Sequence, residues 1–385
     1  MGGIGLRRWD NATMGAWLNV DFLYWNISGY DTPPLVTTAP PGVIPQLGNP
    51  GVNVVLGNGE IGDDWRPGMR IRFGDWLDDT QSLGFEGHFF FLDQDLESLN
   101  FTSAGPGALS LGRPYFNIGN TPGGIFGGAG PGEAALINAF NDANGVVLDG
   151  SVNVRTSSDV YSAGVLLRHF LAEDTDSRID FLGGYRFFRL DEGLAIRGTS
   201  VTGPNAPGFP IGFTFVETDV FDTENDFHGG ELGLAIERDY GDLLSVEVVG
   251  KVALGSMRQQ VDLQGTNVLV FPGFDPIASP SGLLVQPTNT GSLMSQGQFE
   301  RDELAVLPEV NVNVGLQLTS QVRATAGWSV LYVDNVVRPG PQIDRVVNGT
   351  QIGGGALVGA ARPAFNFNET DLWLYGANVG IEATY

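Results

Sequence analysis

The chain of 385 residues contains no cysteine, so a disulfide framework, a thiolate metal site and a thiol nucleophile are all excluded. Lysine is nearly absent too. Of the 20 basic residues only Lys251 is a lysine, and the others are arginines. Against them stand 44 acids, for a formal net charge of −24. A field of that sign repels phosphate backbones, so no nucleic-acid partner is expected. No run of about eighteen apolar residues occurs, which excludes a transmembrane helix. The opening MGGIGLRRWDNATMG lacks the apolar centre of a secretory leader, so an exported form is expected to have lost its signal peptide. Histidines number only 3, and the HExxH, GxSxG and Walker patterns are missing. GGIFGGAG (Gly123 to Gly130) is glycine-rich but lacks the basic residue of a phosphate loop. No catalytic residue, cofactor or metal site is assigned.

Glycine is abundant at 56, proline stands at 22, and aromatics make up 10% of the chain. Many turns with that aromatic content point to an all-β protein rather than to disorder. Alternation with a period of two runs through the sequence, and helical periodicity is almost absent. The final segment is the clearest. Trp373, Tyr375, Ala377, Val379, Ile381, Ala383 and Tyr385 form one apolar set, and the interleaved residues are mostly small or polar. Ten strands are expected, near 16–26, 68–77, 82–92, 158–171, 178–190, 227–238, 242–257, 304–318, 321–333 and 370–385.

The links between them alternate strictly. Short ones follow the second, fourth, sixth and eighth strands. Long ones fall near 27–67, 93–157, 191–226, 258–303 and 334–369. An even number of strands with this alternation fits an antiparallel up-and-down transmembrane β-barrel, with short turns at one end and long extracellular loops at the other. A Greek-key sandwich has no reason to alternate so. The apolar faces, such as Leu18, Val20, Phe22 and Tyr24, or Val310, Val312, Val314 and Leu316, are free of charge. The opposite faces carry Asp21, Arg70, Arg72, Glu86, Arg168, Asp180, Arg186, Glu231, Glu247, Lys251, Glu309, Arg323 and Glu382. In a barrel these line the lumen. In a soluble secreted sandwich, the competing adhesin reading, they would face water.

The strand opening followed by PPLVTT (Pro33 to Thr38) and RIRFGDWLD (Arg70 to Asp78) resembles the Putative beta barrel porin-7 family. So do GRPYFN (Gly112 to Asn117), GGYRFFRL (Gly183 to Leu190) and DVFDTENDFHGGELG (Asp219 to Gly233). KVALGSMRQQVDLQG (Lys251 to Gly265), LAVLPEVNVNVG (Leu304 to Gly315) and VLYVDNVVRPGPQID (Val330 to Asp344) continue it to the end of the chain. The resemblance implies a single outer-membrane barrel domain over 1–385, in contact with the bilayer, and no catalytic residues. Its oligomeric state stays open. The terminal apolar set Tyr375, Val379, Ile381 and Tyr385 resembles the signal that barrel-assembly machinery reads.

A ten-stranded barrel is too narrow for a wide water channel, and inward arginines paired with carboxylates should nearly fill it. VNVR (Val152 to Arg155), FTFVETDV (Phe213 to Val220) and QVDLQG (Gln260 to Gly265) suggest that strands continue beyond the membrane. PPLVTT, GRPYFN and VRPGPQ (Val337 to Gln342) are candidates for a common cap. PGEAALINAFNDANG (Pro131 to Gly145) is the one short helix expected. His228, beside Asp222, Glu224 and Asp226, raises the alternative of a hydrolase at the barrel rim. The clusters Glu217/Asp219/Asp222/Glu224/Asp226 and Glu173/Asp174/Asp176 could ligate calcium, but lack EF-hand spacing.

Overall fold

In the computed structural model, residues 15–123, 127–279, 281–285, 295–351 and 357–385 are described. The ten expected strands all form, in order: β1 (Trp17–Ile27), β2 (Asp64–Trp76), β3 (Leu83–Ser103), β4 (Gly145–Glu173) and β5 (Ser177–Thr202). They continue with β6 (Thr214–Tyr240), β7 (Leu244–Val270), β8 (Ser295–Gln317), β9 (Val322–Val337) and β10 (Glu369–Thr384). Each pairs antiparallel with its sequence neighbour. β10 then pairs with β1, from Trp17 opposite Thr384 to Ile27 opposite Leu374, and the ring returns to its start. At the level of the short strands β1, β2, β9 and β10 closure leaves no sheet edge, the condition for burying backbone in lipid.

Period two decides which side of the wall each residue takes. In β1, Leu18, Val20, Phe22 and Tyr24 are exposed on the outside, while Asn19, Asp21, Leu23 and Trp25 are buried. The same holds for Val310, Val312, Val314 and Leu316 in β8. Tyr24 stacks on Trp65, which meets Trp328 and Tyr375 edge-on, so aromatics gather along one rim of the apolar band.

The wall is uneven. β1 and β2 have 11 and 13 residues and β9 and β10 have 16 each, whereas β3 to β8 run from 21 to 29. At roughly 3.3 Å per residue the long strands far exceed what a tilted crossing of the bilayer needs. Much of what reads as loop in 93–157, 191–226 and 258–303 is therefore continuous β-wall, and VNVR, FTFVETDV and QVDLQG all lie in it.

Inside the mouth of this tall wall sits a small sheet of strands Val36–Ala39, Asn53–Leu56, Ser110–Asn117 and Gly132–Asp142. PPLVTT and GRPYFN meet there, with Thr37 opposite Gly112. The helix expected over 131–145 is absent. Its centre, Gly132–Asp142, is a strand paired with Ser110–Asn117 on one side and with the start of β4 on the other. Ala134, Ala135, Leu136, Ile137, Asn138 and Ala139 are buried in succession, so both faces are covered. A short apolar run buried on both faces carries no alternation that separates strand from helix. Among the described residues the helical turns are two 3-10 segments, Gly340–Gln342 and Gly349–Gln351.

Candidate functional site

The feature of the molecule with most chemistry is the inside of the barrel, which is layered. At the end nearest the short turns, all thirteen charged residues expected on the inner faces are engaged in ion pairs. Arg70 on β2 holds Asp21 on β1 through Nε and Nη2, both at 2.9 Å, and its Nη1 donates to Asn311 on β8 at 2.8 Å. Arg72 on β2 reaches Glu247 on β7, on the far side of the ring, at 3.2 Å. Arg168 bridges Asp180 at 2.8 Å and Glu86 at 3.4 Å. Arg323 on β9 pairs with Glu237 on β6 at 2.5 Å and forks onto Glu382 at 3.1 Å. Arg186, fully buried, joins Glu231 at 2.9 Å to Glu309, and Lys251 lies 3.5 Å from both carboxylates.

Several of these pairs join strands that are not neighbours, so the side chains meet across the interior rather than along the wall. The pairing is dense enough to offset part of the desolvation of each ion. Three participants were not singled out from sequence: Glu237, Arg178, which donates to Asp180 at 3.0 Å, and His88, whose Nε2 is 3.7 Å from Glu231. Strand alternation would have flagged all three, since each shares its face with a residue already assigned.

Above the ions lies an apolar layer that sequence reading did not anticipate. Leu23, Trp25 and Ile27 of β1 meet Phe90 and Leu92 of β3, Phe188 and Leu190 of β5 and Phe227 of β6. Val160 of β4 joins them. Ala253, Met257, Ala305, Leu307, Leu331, Val333, Val336, Leu372 and Leu374 complete the layer, and every one of these side chains is 3% exposed or less. Trp25 packs on Phe90 with ring centroids 5.2 Å apart. Gly68 on β2 leaves the space that the Leu92 side chain needs, because a Cβ there would sit 2.7 Å from Leu92 Cδ2. The sequence does carry a signal for this layer. At this height apolar residues come in unbroken runs, such as Tyr24-Trp25, Phe89-Phe90-Phe91, Phe187-Phe188 and Val330 to Val333. One member faces outward and the next inward.

A third layer lies at the mouth. Arg338 forks onto Glu192 at 2.8 and 2.6 Å, donates to the carbonyls of Ser28 and Gly29, and lies 4.8 Å over the Tyr30 ring. Asn225 exchanges two 2.8 Å bonds with the backbone of Val337. VRPGPQ is thereby tied to the tall wall. Further out, Arg113 pairs with Asp219 at 2.5 Å. Asp219 also accepts the backbone N–H groups of Leu284 and Val285 at 2.9 and 2.8 Å. Glu217 accepts from Asn138 at 2.8 Å, and burial pushes its carboxyl up to about 7.

The acidic cluster proposed for calcium is split by alternation. Glu217 and Asp219 point inward, while Asp222, Glu224 and Asp226 lie on the outer side. There Asp159, Asp191, Asp222, Glu224 and Asp262 line an open groove of about 270 Å³. Partial burial raises the Asp191, Asp222 and Glu224 carboxyls, with neighbouring acids adding to it. Among the described residues no group of three His, Asp or Glu is placed to hold a metal ion. Asp174, in the second cluster, accepts the backbone N–H groups of Asp176 and Ser177, which hold it below the usual carboxylate range. His228 is on the outer side as well. Its Nδ1 meets the Tyr185 hydroxyl at 2.5 Å and its ring packs on Phe187, and no acid pairs with it among the described residues.

Among solved structures, the chain is similar to the outer membrane protease OmpT from Escherichia coli, at 7% identity and a TM-score of 0.39, over 98% of this chain and 100% of that one. It is similar to the P. putida toluene transporter TodX at 8% identity and a TM-score of 0.21, over 96% and 90% of the two chains. A Pseudomonas aeruginosa FadL homologue matches at 9% identity and a TM-score of 0.23, over 97% and 90%. At this level the likenesses do not extend to activity. No curated protein matches the chain. The family model described as Putative beta barrel porin-7 matches residues 17–385, the whole of the barrel from its first strand to its last residue, and the chain belongs to that family.

Proposed function

We propose that this protein is an outer-membrane barrel with a closed interior, which anchors and displays a tall extracellular β-wall and does not pass solutes or carry out catalysis. The observation that supports this most directly is the apolar layer. Nine of the ten strands send buried apolar side chains to one level, from Leu23 on β1 to Leu374 on β10. Below it the thirteen paired residues from Asp21 to Glu382 line a narrow, ion-filled lumen. Above it the Arg338–Glu192 fork and the inner sheet cover the mouth. A solute would have to displace all three. The rim-hydrolase alternative has less in its favour, because His228 faces outward onto Tyr185 and Phe187 rather than into a cleft with an acid.

Location in the outer membrane follows from the family and from the uncharged outer band. Assembly would depend on the terminal strand, whose Tyr375, Val379, Ile381 and Tyr385 present the apolar set to the barrel-assembly machinery. The test is planar-bilayer conductance of the protein purified from outer membranes in detergent. Single-channel events should be absent or very small. A large, stable conductance from the unaltered protein would overturn the closed-interior reading.

A further inference from the structure

At the summit of the tall wall, two neighbouring turns carry nearly the same five residues. The turn between β5 and β6 reads Pro207-Gly208-Phe209-Pro210-Ile211. The turn after β7 reads Pro272-Gly273-Phe274-Asp275-Pro276-Ile277. Both place their glycine at positive φ, +78° for Gly208 and +84° for Gly273, and both are held by backbone bonds across the turn, Phe213 N to Pro210 O and Phe274 N to Phe271 O. Proline on either side limits the backbone further. The turns are in contact. Phe213 packs on Phe271 with ring centroids 4.6 Å apart, and Gly212 abuts Pro272.

These turns present apolar side chains to solvent, with Ile211 65% exposed, Phe274 76%, Ile277 57% and Phe209 38%. Outward apolar residues lower on the wall belong to the lipid band, but these lie at the far end of strands of 26 and 27 residues, well clear of it. The region is also almost free of charge. In a chain of net charge −24, residues 203–213 hold no charged side chain, and residues 271–279 hold only Asp275. Rigid, uncharged apolar knobs at the outermost point of an acidic protein mark an interaction surface.

We propose that the twin turns bind the same surface on a second copy of this chain. Two observations favour this occupant. A patch made of two like units side by side suits two-fold pairing, in which the first turn of one copy meets the second turn of the other. And because each copy repels the other through its net charge, a nearly uncharged surface of this kind is one where two copies can approach. At roughly 200 Å² for a full side chain, the four residues expose roughly 450 Å². A pair would bury roughly 900 Å², the size of a transient contact rather than a permanent dimer. The proposal goes beyond the closed-barrel reading and does not depend on whether the lumen conducts.

The experiment is sedimentation velocity of the full chain in nanodiscs of zwitterionic lipid, one barrel per disc, over a range of concentration and salt. The discs cover the lipid band and leave the summit free. Reversible pairing of discs should appear at high concentration and should tighten several-fold as salt screens the mutual repulsion. The triple variant Ile211→Ser/Phe274→Ser/Ile277→Ser should weaken it at least ten-fold while keeping the heat-modifiable gel shift of a folded barrel. Discs that stay single at every concentration, pairing that survives in the variant, or pairing that salt weakens would each overturn the proposal.

Discussion

The two inner layers of the barrel share one backbone and one alternation, yet they differ in nearly everything else. The ionic layer is held by directional bonds, many of them spanning the interior, as from Arg72 to Glu247. The apolar layer is held by close packing, as between Trp25 and Phe90. Ion pairs in a narrow tube fix the geometry of facing strands but leave polar groups that water can solvate. Packed aromatic and aliphatic side chains give no such footing to water or ions. If the interior is closed as proposed, the barrier to permeation would reside in the apolar layer, and the ionic layer would act as a brace.

The largest effect should come from breaking what both layers depend on, closure of the ring. Deleting residues 376–385 removes most of the partner of β1 and leaves its backbone groups unpaired in lipid, at several kcal/mol each. The truncated chain should fail to appear as a folded, heat-modifiable species in the outer membrane. A folded species of normal yield would show that β1 and β10 need not pair.

Next come single substitutions that set the layers against each other. Arg186→Ala leaves the buried Glu231 and Glu309 to share Lys251 and should lower stability against urea by about 3–5 kcal/mol, with no gain in conductance. Trp25→Ala should lower stability by a similar amount, about 3–5 kcal/mol. Combined with Phe90→Ala, it should also produce measurable ion conductance. If the arginine variant conducts and the aromatic double variant does not, the roles of the two layers are reversed.

The cap permits a finer test. Burial raises the Glu217 carboxyl from 4.5 to about 7, so the folded cap keeps a proton that the unfolded chain has given up. Its contribution to stability is complete below about pH 4.5 and is lost as pH rises through 7. Backbone amides near Leu136 and Leu284 should exchange faster at pH 8 than at pH 6, after correction for intrinsic rates. Glu217→Gln should remove that difference while leaving the ionic layer's protection unchanged. The smallest effect is expected from Tyr385→Ser, which should lower assembly yield without altering the unfolding midpoint of barrels that do form.

Ten strands, their order and the alternation of short and long links were legible because a barrel wall is a local pattern. Each residue's side follows from its neighbour's, and lipid tolerates no charge on one of the two sides. The thirteen charged residues expected on the inner faces were picked out by the same alternation. Which of them meet was not legible, since Arg72 and Glu247 are 175 positions apart and come together only when the ring closes. The strand at Gly132–Asp142 was missed because burial on both faces erases the alternation. The apolar layer was present in the sequence as unbroken apolar runs, but one strand gives no indication that the others place theirs at the same height.

The sequence by itself determined the class of protein. Period-two alternation, an uncharged face on each strand and the strict alternation of short and long links favour a transmembrane β-barrel over a soluble sandwich. What fills the interior at each height was decided by tertiary structure alone. Register sets the height of each side chain, and ring closure sets what stands opposite. Only together do they stack ions, apolar side chains and cap into three successive layers.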